Sequence, residues 1–373
     1  MLLPSQRLTK KEMDRRYAAV RKEMQKAGLE ILLVSGVRFV GSTGYLRYLS
    51  NWAEPFAGET LLFPVEGTPI FFSRTSERAI LVEKFLGGIK AITGSTAEVV
   101  AETVKKTGKT KIGICGLNTM FAEYYVKLCA ALPGVELKDY STIIDDVRMV
   151  KSEEELHWVD KSVNLGDVAF TLFSKLVQEG REESEIFLEV EHLVKRLGAE
   201  NTYFMMSTDP QPVAKFMDLA FDRYEKGDLI FFNAEIAGPG GYYTQLVRTL
   251  SLGKPNEEAV EAAEVCWNAL KIAEQKLRPG VMTTEIYKAI LESIESSGFK
   301  MGLHPGHSQG LDIFERPLIN DKDAVVLKKN MVIVLHPHIL LPRGGGMWMG
   351  DMFVVTDSGC RRLHKTSQEL MVI

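Results

Sequence analysis

Two apolar segments joined by a short loop of glycine and proline place the strongest constraint on how this chain can fold. The segments are LIFFNAEI at 229–236 and YYTQLVRTLSL at 242–252, and the loop between them is AGPGG. Glycine and proline in so short a connection favour a tight turn between two extended strands. The pattern therefore predicts a β-hairpin, and this part of the chain needs an antiparallel sheet.

The predicted hairpin carries polar side chains at alternate positions. Successive side chains of a strand point to opposite faces, so Asn233 and Glu235 share one face of the first strand. By the same rule, Tyr243, Gln245 and Val247 share one face of the second strand.

Helices and further strands follow the hairpin. The periodicity predicts helices over about 256–277 and 284–297, with a Pro-Gly pair between them. Two more strands are predicted at the end of the chain, over 331–340 and over about 347–356. These elements indicate an α+β domain in which helices cover a curved antiparallel sheet.

The first third of the chain has a different pattern, in which helices alternate with strands. A charged amphipathic helix is predicted over 9–27, followed by a buried strand over 30–35. TLLFPV and PIFFS form a second predicted hairpin, and KIGIC forms a further strand. This alternation predicts an α/β layered domain.

The segment from Asp145 onwards predicts the boundary between these two regions. Ser152 is followed three residues later by Glu155, which is the capping-box pattern that starts a helix. We therefore predict one domain over 1–150 and a second over 151–373.

Composition excludes several classes of function. The net charge is -4, 45% of the residues are hydrophobic, and no basic patch dominates, so we expect no nucleic-acid partner. No uncharged apolar run approaches the ~18 residues of a membrane span. The segment MLLPSQRLTKKEMDRR has no apolar stretch long enough for a secretory signal, so we expect none. The four cysteines are scattered without metal-type spacing. We expect a cytoplasmic protein with reduced thiols.

Four segments together resemble the creatinase/prolidase/methionine aminopeptidase superfamily, whose fold is called pita-bread. They are VRMVKSEEEL, GDLIFFNAEIAGPGGYYTQLVRT, HPGHSQGLDIFERP and NMVIVLHPHIL with MGDMFVVTDSG, in the order and spacing of that superfamily. The GYYTQLVRT and GHSQG sequences resemble creatinase most closely. The resemblance implies an α/β N-terminal domain and an α+β pita-bread C-terminal domain with its polar hairpin faces turned inward.

The resemblance also implies where the metal ligands of the superfamily would fall. Metal-dependent members use two Asp, one His and two Glu, and the matching positions here are Asn233, Gln245, His307, His336 and Gly350. Two divalent ions need nearby carboxylates, and these positions provide none. We therefore expect no metal and no other cofactor.

The histidines leave one metal alternative open. His304, His307, His336 and His338 lie in the matching segments, and imidazole suits zinc, copper and nickel. His336 and His338 alternate on the strand predicted over 331–340 and are therefore expected to share a face.

The catalytic residues of creatinase are replaced as well. Its upstream histidine falls at 210–211, its hairpin glutamate at Val247 and its last glutamate at His336. We therefore expect a metal-independent hydrolase or lyase acting on a C–N bond of a small polar compound. His336 would be the acid or base, His307 would orient the substrate, and Asn233, Gln245 and Tyr243 would donate hydrogen bonds to it. The alternatives are a non-catalytic protein that binds a small ligand or a protein partner, and a mononuclear metalloenzyme.

Further substrate-binding candidates complete the predicted site. They are Glu235, His304, His338, Arg316 as the cation for a substrate carboxylate, and Arg47 and Trp52 of the first domain. Creatinase uses an aromatic residue and an arginine of the neighbouring subunit in the region of Arg47 and Trp52. The resemblance therefore implies a homodimer.

Light scattering of the purified protein tests this assembly. We expect a mass of twice the 41.7 kDa of one chain. A mass equal to one chain in dilute solution would contradict the prediction.

Overall fold

The computed structural model describes residues 8–36, 44–53, 59–209, 222–341 and 345–373. The chain divides into two compact units, Met1–Arg148 and Met149–Ile373. No helix within the described ranges is long and apolar enough to cross a membrane.

The first unit is a mixed sheet with helices packed on it. In the described residues the strand order is β4-β3-β2-β1-β5-β6, in which β1 to β3 are antiparallel and the outer pairs are parallel. The strands are β1 Ile31–Ser35, β2 Thr60–Pro64, β3 Ile70–Ser73, β4 Lys90–Thr93, β5 Ile112–Cys115 and β6 Lys138–Asp139. The helices are α1 Lys10–Lys26, α2 Gly44–Ser50, α3 Ser76–Leu86, α4 Ala97–Thr107, α5 Ala122–Ala131 and α6 Thr142–Arg148.

The second unit begins with the helix that the capping box predicts. Ser152 accepts a hydrogen bond from the Glu155 backbone N–H, and the Glu155 side chain accepts one from the Ser152 backbone, which confirms the prediction. The helices of this unit are α7 Glu153–Leu176, α8 Glu183–Arg196, α9 Glu257–Lys276 and α10 Thr283–Glu295.

A sheet with the order β18-β9-β8-β7 contains the predicted hairpin. Its strands are β7 Asn201–Asp209, β8 Leu229–Ala237, β9 Tyr243–Ser251 and β18 Met371–Val372. Phe204, Phe232 and Leu246 point to one face and pack into a core with residues of α7 and α8. Because side chains alternate, Asn233 and Gln245 point to the opposite face, which we call the polar face.

Two further sheets lie under α9 and α10, whose small and branched side chains pack against them. In the described residues their strand orders are β12-β11-β13-β16-β17 and β10-β14-β15. The strands are β10 Lys300–Met301, β11 Gly306–Ser308, β12 Glu315–Leu318, β13 Val332–Leu335, β14 His338–Leu340, β15 Gly346–Trp348, β16 Asp351–Val355 and β17 Cys360–Arg362.

The single strand predicted over 331–340 is wrong. β13 ends at Leu335, β14 begins at His338, and the two strands belong to different sheets. Pro337 between them has no backbone N–H to donate to a ladder. His336 and His338 therefore do not alternate along one strand. The strand predicted over 347–356 divides in the same way, at Gly350.

The strand β7 was not predicted from the sequence. NTYFMMSTD contains only two β-branched residues, Thr202 and Thr208, so its local preference for a strand is weak. Pairing with β8 stabilises this segment as a strand. The ladder pairs Asn201 with Ala237 at one end and Asp209 with Leu229 at the other.

Candidate functional site

The polar face of the hairpin carries an amide cluster made of Asn233, Gln245 and Glu235. Glu235 lies directly opposite Gln245 in the ladder. The Asn233 Nδ2 donates to Glu235 Oε1 at 3.0 Å. The Gln245 Nε2 donates to Asn233 Oδ1 at 3.0 Å and to Glu235 Oε1 at 3.3 Å. All three side chains are buried, so each fixes the orientation of the other two.

The amide cluster changes the expected role of Gln245. Both N–H groups of its amide are engaged inside the cluster, so Gln245 is not the hydrogen-bond donor to a substrate that the sequence predicted. Its Oε1, an acceptor, is buried without a hydrogen-bond partner, as is Oε2 of Glu235. Buried polar atoms are normally paired, so these two oxygens mark a place where a ligand or water is needed.

Burial raises the pKa of the Glu235 carboxyl to about 7, and the hydrogen bond from Asn233 opposes this shift. Removal from water disfavours the carboxylate form. Glu235 is therefore a group that changes charge near neutral pH.

Three histidine rings form a second cluster. The ring centroids of His307 and His336 are 5.1 Å apart, those of His304 and His336 5.6 Å, and those of His304 and His307 6.1 Å. The Phe314 ring lies 4.3 Å from that of His307. His307 is on β11 and His336 directly follows β13, its antiparallel neighbour, so strand pairing brings the two rings together.

The rings of this three-histidine cluster are uncharged at neutral pH. Burial lowers the pKa of His307 to about 3, against the opposing effect of its hydrogen bond to the Ser308 carbonyl. Burial, and then the proximity of His307 and His304, lowers the pKa of His336 well below its usual range. Burial also lowers the pKa of His304.

The hydrogen bonds of His307 determine its tautomer. Its Nδ1 lies 2.9 Å from the Ser308 carbonyl oxygen, which can only accept, so Nδ1 carries the proton and Nε2 keeps its lone pair. The Nε2 of His307 and the Nδ1 of His336 are buried and have no hydrogen-bond partner in the described part of the chain. Both atoms are therefore available to a ligand.

Trp348 connects the polar face with the histidines. Its ring stacks on Phe231 with centroids 5.2 Å apart and an interplanar angle of 8°. Its Nε1 donates to the His336 carbonyl oxygen at 2.9 Å, and its ring contacts both His336 and His338. Sequence analysis missed Trp348, although its position two residues before Gly350, a matched ligand position, was a usable signal.

Gly350 lies between the hairpin and the histidines. It exchanges two backbone hydrogen bonds with Val247, at 3.2 and 3.0 Å. A Cβ at position 350 would lie 2.6 Å from the Cβ of His336 and 2.9 Å from the Leu335 carbonyl oxygen. Side chains cannot pack at such distances without a shift of the backbone. The close spacing of the strands thus leaves no room for a carboxylate at this position.

The remaining predicted residues of the second unit have separate surroundings. Tyr243 lies on the polar face, where its hydroxyl accepts a hydrogen bond from Asn201 Nδ2 at 3.2 Å. Burial lowers the pKa of His338 to about 4. The Arg316 guanidinium lies 2.7 Å from an Asp323 carboxylate oxygen. Its role as the cation for a substrate carboxylate stays a prediction.

Arg47 and Trp52 belong to the first unit. Arg47 is buried in α2, and the Trp52 ring makes an edge contact with Phe71 at a centroid distance of 6.4 Å. The substrate-binding roles of both stay predictions. Positions 210–211, where the creatinase histidine would fall, lie outside the described residues.

A buried ion pair beside the histidine strand was also missed. Lys151 Nζ lies 2.8 Å from Glu315 Oε2, and the two side chains are only 1% and 2% exposed. Glu315 Oε1 accepts hydrogen bonds from the backbone N–H groups of Leu311 and Asp312, which fixes the loop that follows β11. Lys151 and Glu315 both lie within the motifs quoted above, and that was the available signal.

Comparisons with known proteins identify the family. The profile of metallopeptidase family M24 matches residues 157–357, more than half of the chain. The chain belongs to this family. The profile of the creatinase/prolidase N-terminal domain matches residues 16–150. The superfamily resemblance inferred from the motifs is therefore confirmed.

Individual relatives agree with this assignment. The Xaa-Pro dipeptidase of Pyrococcus furiosus is 32% identical over 240 residues, which cover 63% of this chain and 69% of that protein. The prolidase structure from Pyrococcus horikoshii has a TM-score of 0.85 and 25% identity, covering 96% of this chain and 100% of that one. An Xaa-Pro dipeptidase structure from Bacillus anthracis has a TM-score of 0.86 at 20% identity, covering 97% of this chain and 100% of that one. These structures confirm the predicted two-domain fold class.

The side chains at the five matched positions do not fit the pair of metal ions that the family implies. Asn233 and Gln245 offer amides that are bonded to each other and to Glu235, and Gly350 offers no donor. His307 and His336 are neutral ligands, whereas divalent pairs need bridging carboxylates. Across the residues that the structure describes, no group of three or more His, Cys, Asp or Glu side chains is placed to hold a metal ion.

Substitution of Gly350 tests the close strand spacing. We expect Gly350→Ala to lower the free energy of unfolding by about 1–3 kcal/mol, because its Cβ meets the His336 Cβ and a carbonyl oxygen. Gly359→Ala is the matched control, since nothing lies within 4 Å of a Cβ there. Its effect should stay within about 0.5 kcal/mol in the same urea titration. Equal effects of the two substitutions would contradict the proposed crowding.

The pKa shifts predict two opposite effects of pH on stability. The folded state binds the Glu235 proton more tightly than the unfolded state. The resulting stabilisation of the folded state is fully present below pH 4.5 and is lost as pH rises through about 7. The folded state binds the His307 proton more weakly, so that contribution is full above pH 6.5 and is lost as pH falls towards about 3.

Urea unfolding across this pH range measures both effects. Glu235→Gln should remove a loss of up to about 3 kcal/mol between pH 4.5 and 7. His307→Gln should instead reduce the slope of the unfolding free energy against pH below pH 6.5. Each substitution also changes hydrogen bonds, which shifts the unfolding free energy equally at every pH. The slopes against pH are therefore compared, and not the absolute values. Parallel curves for wild type and Glu235→Gln would show that this carboxyl has an ordinary pKa.

Proposed function

We propose that this chain is a metal-independent hydrolase or lyase that acts on a C–N bond of a small polar compound. The observation that carries the proposal is the pair of buried, uncharged histidines, His336 and His307, each with one ring nitrogen that has no partner in the described chain. They occupy positions where the family has a metal-binding glutamate and histidine.

His336 is the acid and base of the proposed reaction. In a hydrolysis, its neutral imidazole takes a proton from water as the water oxygen adds to carbon, and then gives that proton to the departing nitrogen. In a lyase reaction, it takes a proton from the carbon next to the C–N bond, and the bonding electron pair leaves with the nitrogen. Burial weakens His336 as a base, so the bound substrate has to stabilise the imidazolium.

His307 orients the substrate. Its Nδ1–H is held by the Ser308 carbonyl, so its Nε2 accepts a hydrogen bond from an O–H or N–H of the substrate or of the attacking water. Its pKa of about 3 keeps it neutral through the reaction. His307 is assigned the orienting role because Ser308 fixes the proton on its Nδ1 and leaves Nε2 as an acceptor.

Turnover by metal-stripped protein tests the proposal. Amides, ureas and Xaa-Pro dipeptides would be assayed after chelator treatment, and turnover should be unchanged by the chelator. His336→Ala should lower kcat by about 10²–10⁴-fold, the usual contribution of proton transfer by a positioned histidine. His307→Ala should be nearly as damaging. His192→Ala is the matched control, because His192 is exposed on α8 and should leave kcat unchanged.

Three outcomes would contradict the proposal in different ways. Turnover that disappears with the chelator and returns with one equivalent of metal would assign a metal-dependent enzyme. Full turnover by His336→Ala would remove this residue from the mechanism. Tight binding of a compound without any conversion would assign a non-catalytic ligand-binding protein.

A further inference from the structure

The network of the amide cluster determines which atoms of Glu235 and Gln245 lack a hydrogen-bond partner in the described residues. If the Gln245 amide were turned over while Glu235 is ionised, its Oε1 would face the acceptors Asn233 Oδ1 and Glu235 Oε1, and Gln245 would lose both of its hydrogen bonds. The ionised form of Glu235 therefore favours the orientation with Nε2 inside the cluster. This orientation leaves Glu235 Oε2 and Gln245 Oε1 as two buried acceptors on directly opposed residues of neighbouring strands.

No cationic side chain in the described part of the second unit compensates Glu235. The buried lysine and arginine there are Lys151 and Arg248. Lys151 is paired with Glu315 at 2.8 Å, and Arg248 is paired with Asp351 at 3.0 Å. An ionised Glu235 is thus a buried negative charge whose known contacts come only from neutral amides, an arrangement that is costly without a positive partner.

The rest of the polar face suits an organic cation. Phe231 precedes Asn233 by two residues on the same face of β8, and Trp348 stacks on it. Tyr203 lies opposite Glu235 on β7. Tyr203 is thus the aromatic residue nearest to Glu235 in the ladder, whereas Phe231 and Trp348 lie about 13 Å further along the strand. An aromatic ring beside a carboxylate stabilises a bound cation.

We propose that Glu235 Oε2 and Gln245 Oε1 bind the positively charged end of the substrate, a small nitrogen group with at least two N–H donors such as an amidinium or a primary ammonium. This inference rests on the proposed function, since it assigns the substrate class of the same site. Two acceptors need two N–H donors, and the buried carboxylate needs a positive charge. Glu235 and Gln245 are each only 2% exposed, so the bound group has to be small.

Calorimetric titration of metal-stripped protein at about pH 8, above the pKa of Glu235, tests the inference with three probes of similar size. Acetamidinium carries the charge and the N–H donors, acetamide has N–H donors without the charge, and tetramethylammonium has the charge without N–H donors. We expect acetamidinium to bind at least ten times more tightly than either of the others. Equal or tighter binding of acetamide or tetramethylammonium, or no binding of acetamidinium, would overturn the inference.

Glu235→Gln gives an independent test, because it keeps the shape and the acceptor inside the amide cluster but removes the charge. It should weaken acetamidinium binding at least tenfold. Glu295→Gln, the same change on an exposed residue of α10, should not alter that binding. Unchanged affinity in Glu235→Gln would overturn the inference even if wild type prefers acetamidinium.

His336→Ala separates this inference from the proposed function. Its binding of acetamidinium should match that of wild type, since the histidine is not part of the acceptor pair. Retained turnover in His336→Ala would refute the proposed mechanism and leave the binding assignment intact. If wild type does not prefer acetamidinium but its turnover still depends on His336, the binding assignment is refuted and the proposed mechanism stands.

Discussion

The backbone bridge between Val247 and Gly350 is the contact on which the rest of the site depends. It joins the hairpin β8–β9, which carries the amide cluster, to the segment between β15 and β16. β16 in turn pairs with β13, at whose end His336 lies. Without a side chain at position 350, the two groups of strands approach closely enough for Trp348 to contact both sides. A single glycine therefore sets the distance between the amides and the histidines.

The replacement of charged by neutral side chains has a simple electrostatic meaning. Carboxylates that face one another in a buried site repel strongly unless cations lie between them. The amides of Asn233 and Gln245 instead bond to each other and share one carboxylate, and the histidines remain uncharged. The amides can donate hydrogen bonds to one another and to Glu235, whereas carboxylates without bound cations could only accept them. Within the two clusters, the described atoms without a partner are Glu235 Oε2 and Gln245 Oε1 on one side and ring nitrogens of the histidines on the other.

Much of the fold could be predicted because local signals and the tertiary structure agree. The AGPGG loop, the capping box at Ser152 and the alternation along the hairpin each depend on a few neighbouring residues. The identity of the residues at the five matched positions followed from motif spacing. The resemblance assigned His307 and His336 to one site, and the pairing of β11 with β13 brings their ring centroids to 5.1 Å from each other.

Other features could not be predicted because distant residues determine them. Strand β7 has weak local preference and is formed by pairing with β8. The break at Pro337 places His338 in a different sheet from β13, which alternation along one strand could not reveal. The hydrogen bonds of Gln245 depend on a residue directly opposite in the ladder. The Lys151–Glu315 pair joins positions 164 residues apart in sequence.

The crowding at Gly350 also limits how this chain could change over generations. A codon change that introduces glutamate at this position would not simply add a carboxylate to the site, because the Cβ of the new residue would collide with the Cβ of His336 and with the Leu335 carbonyl oxygen. Replacing His336 would not help, since every residue except glycine has the same Cβ. A carboxylate at position 350 would require the two strands to separate first, through changes elsewhere in the chain. At position 350, the backbone as well as the missing side chain thus leaves no place for a carboxylate.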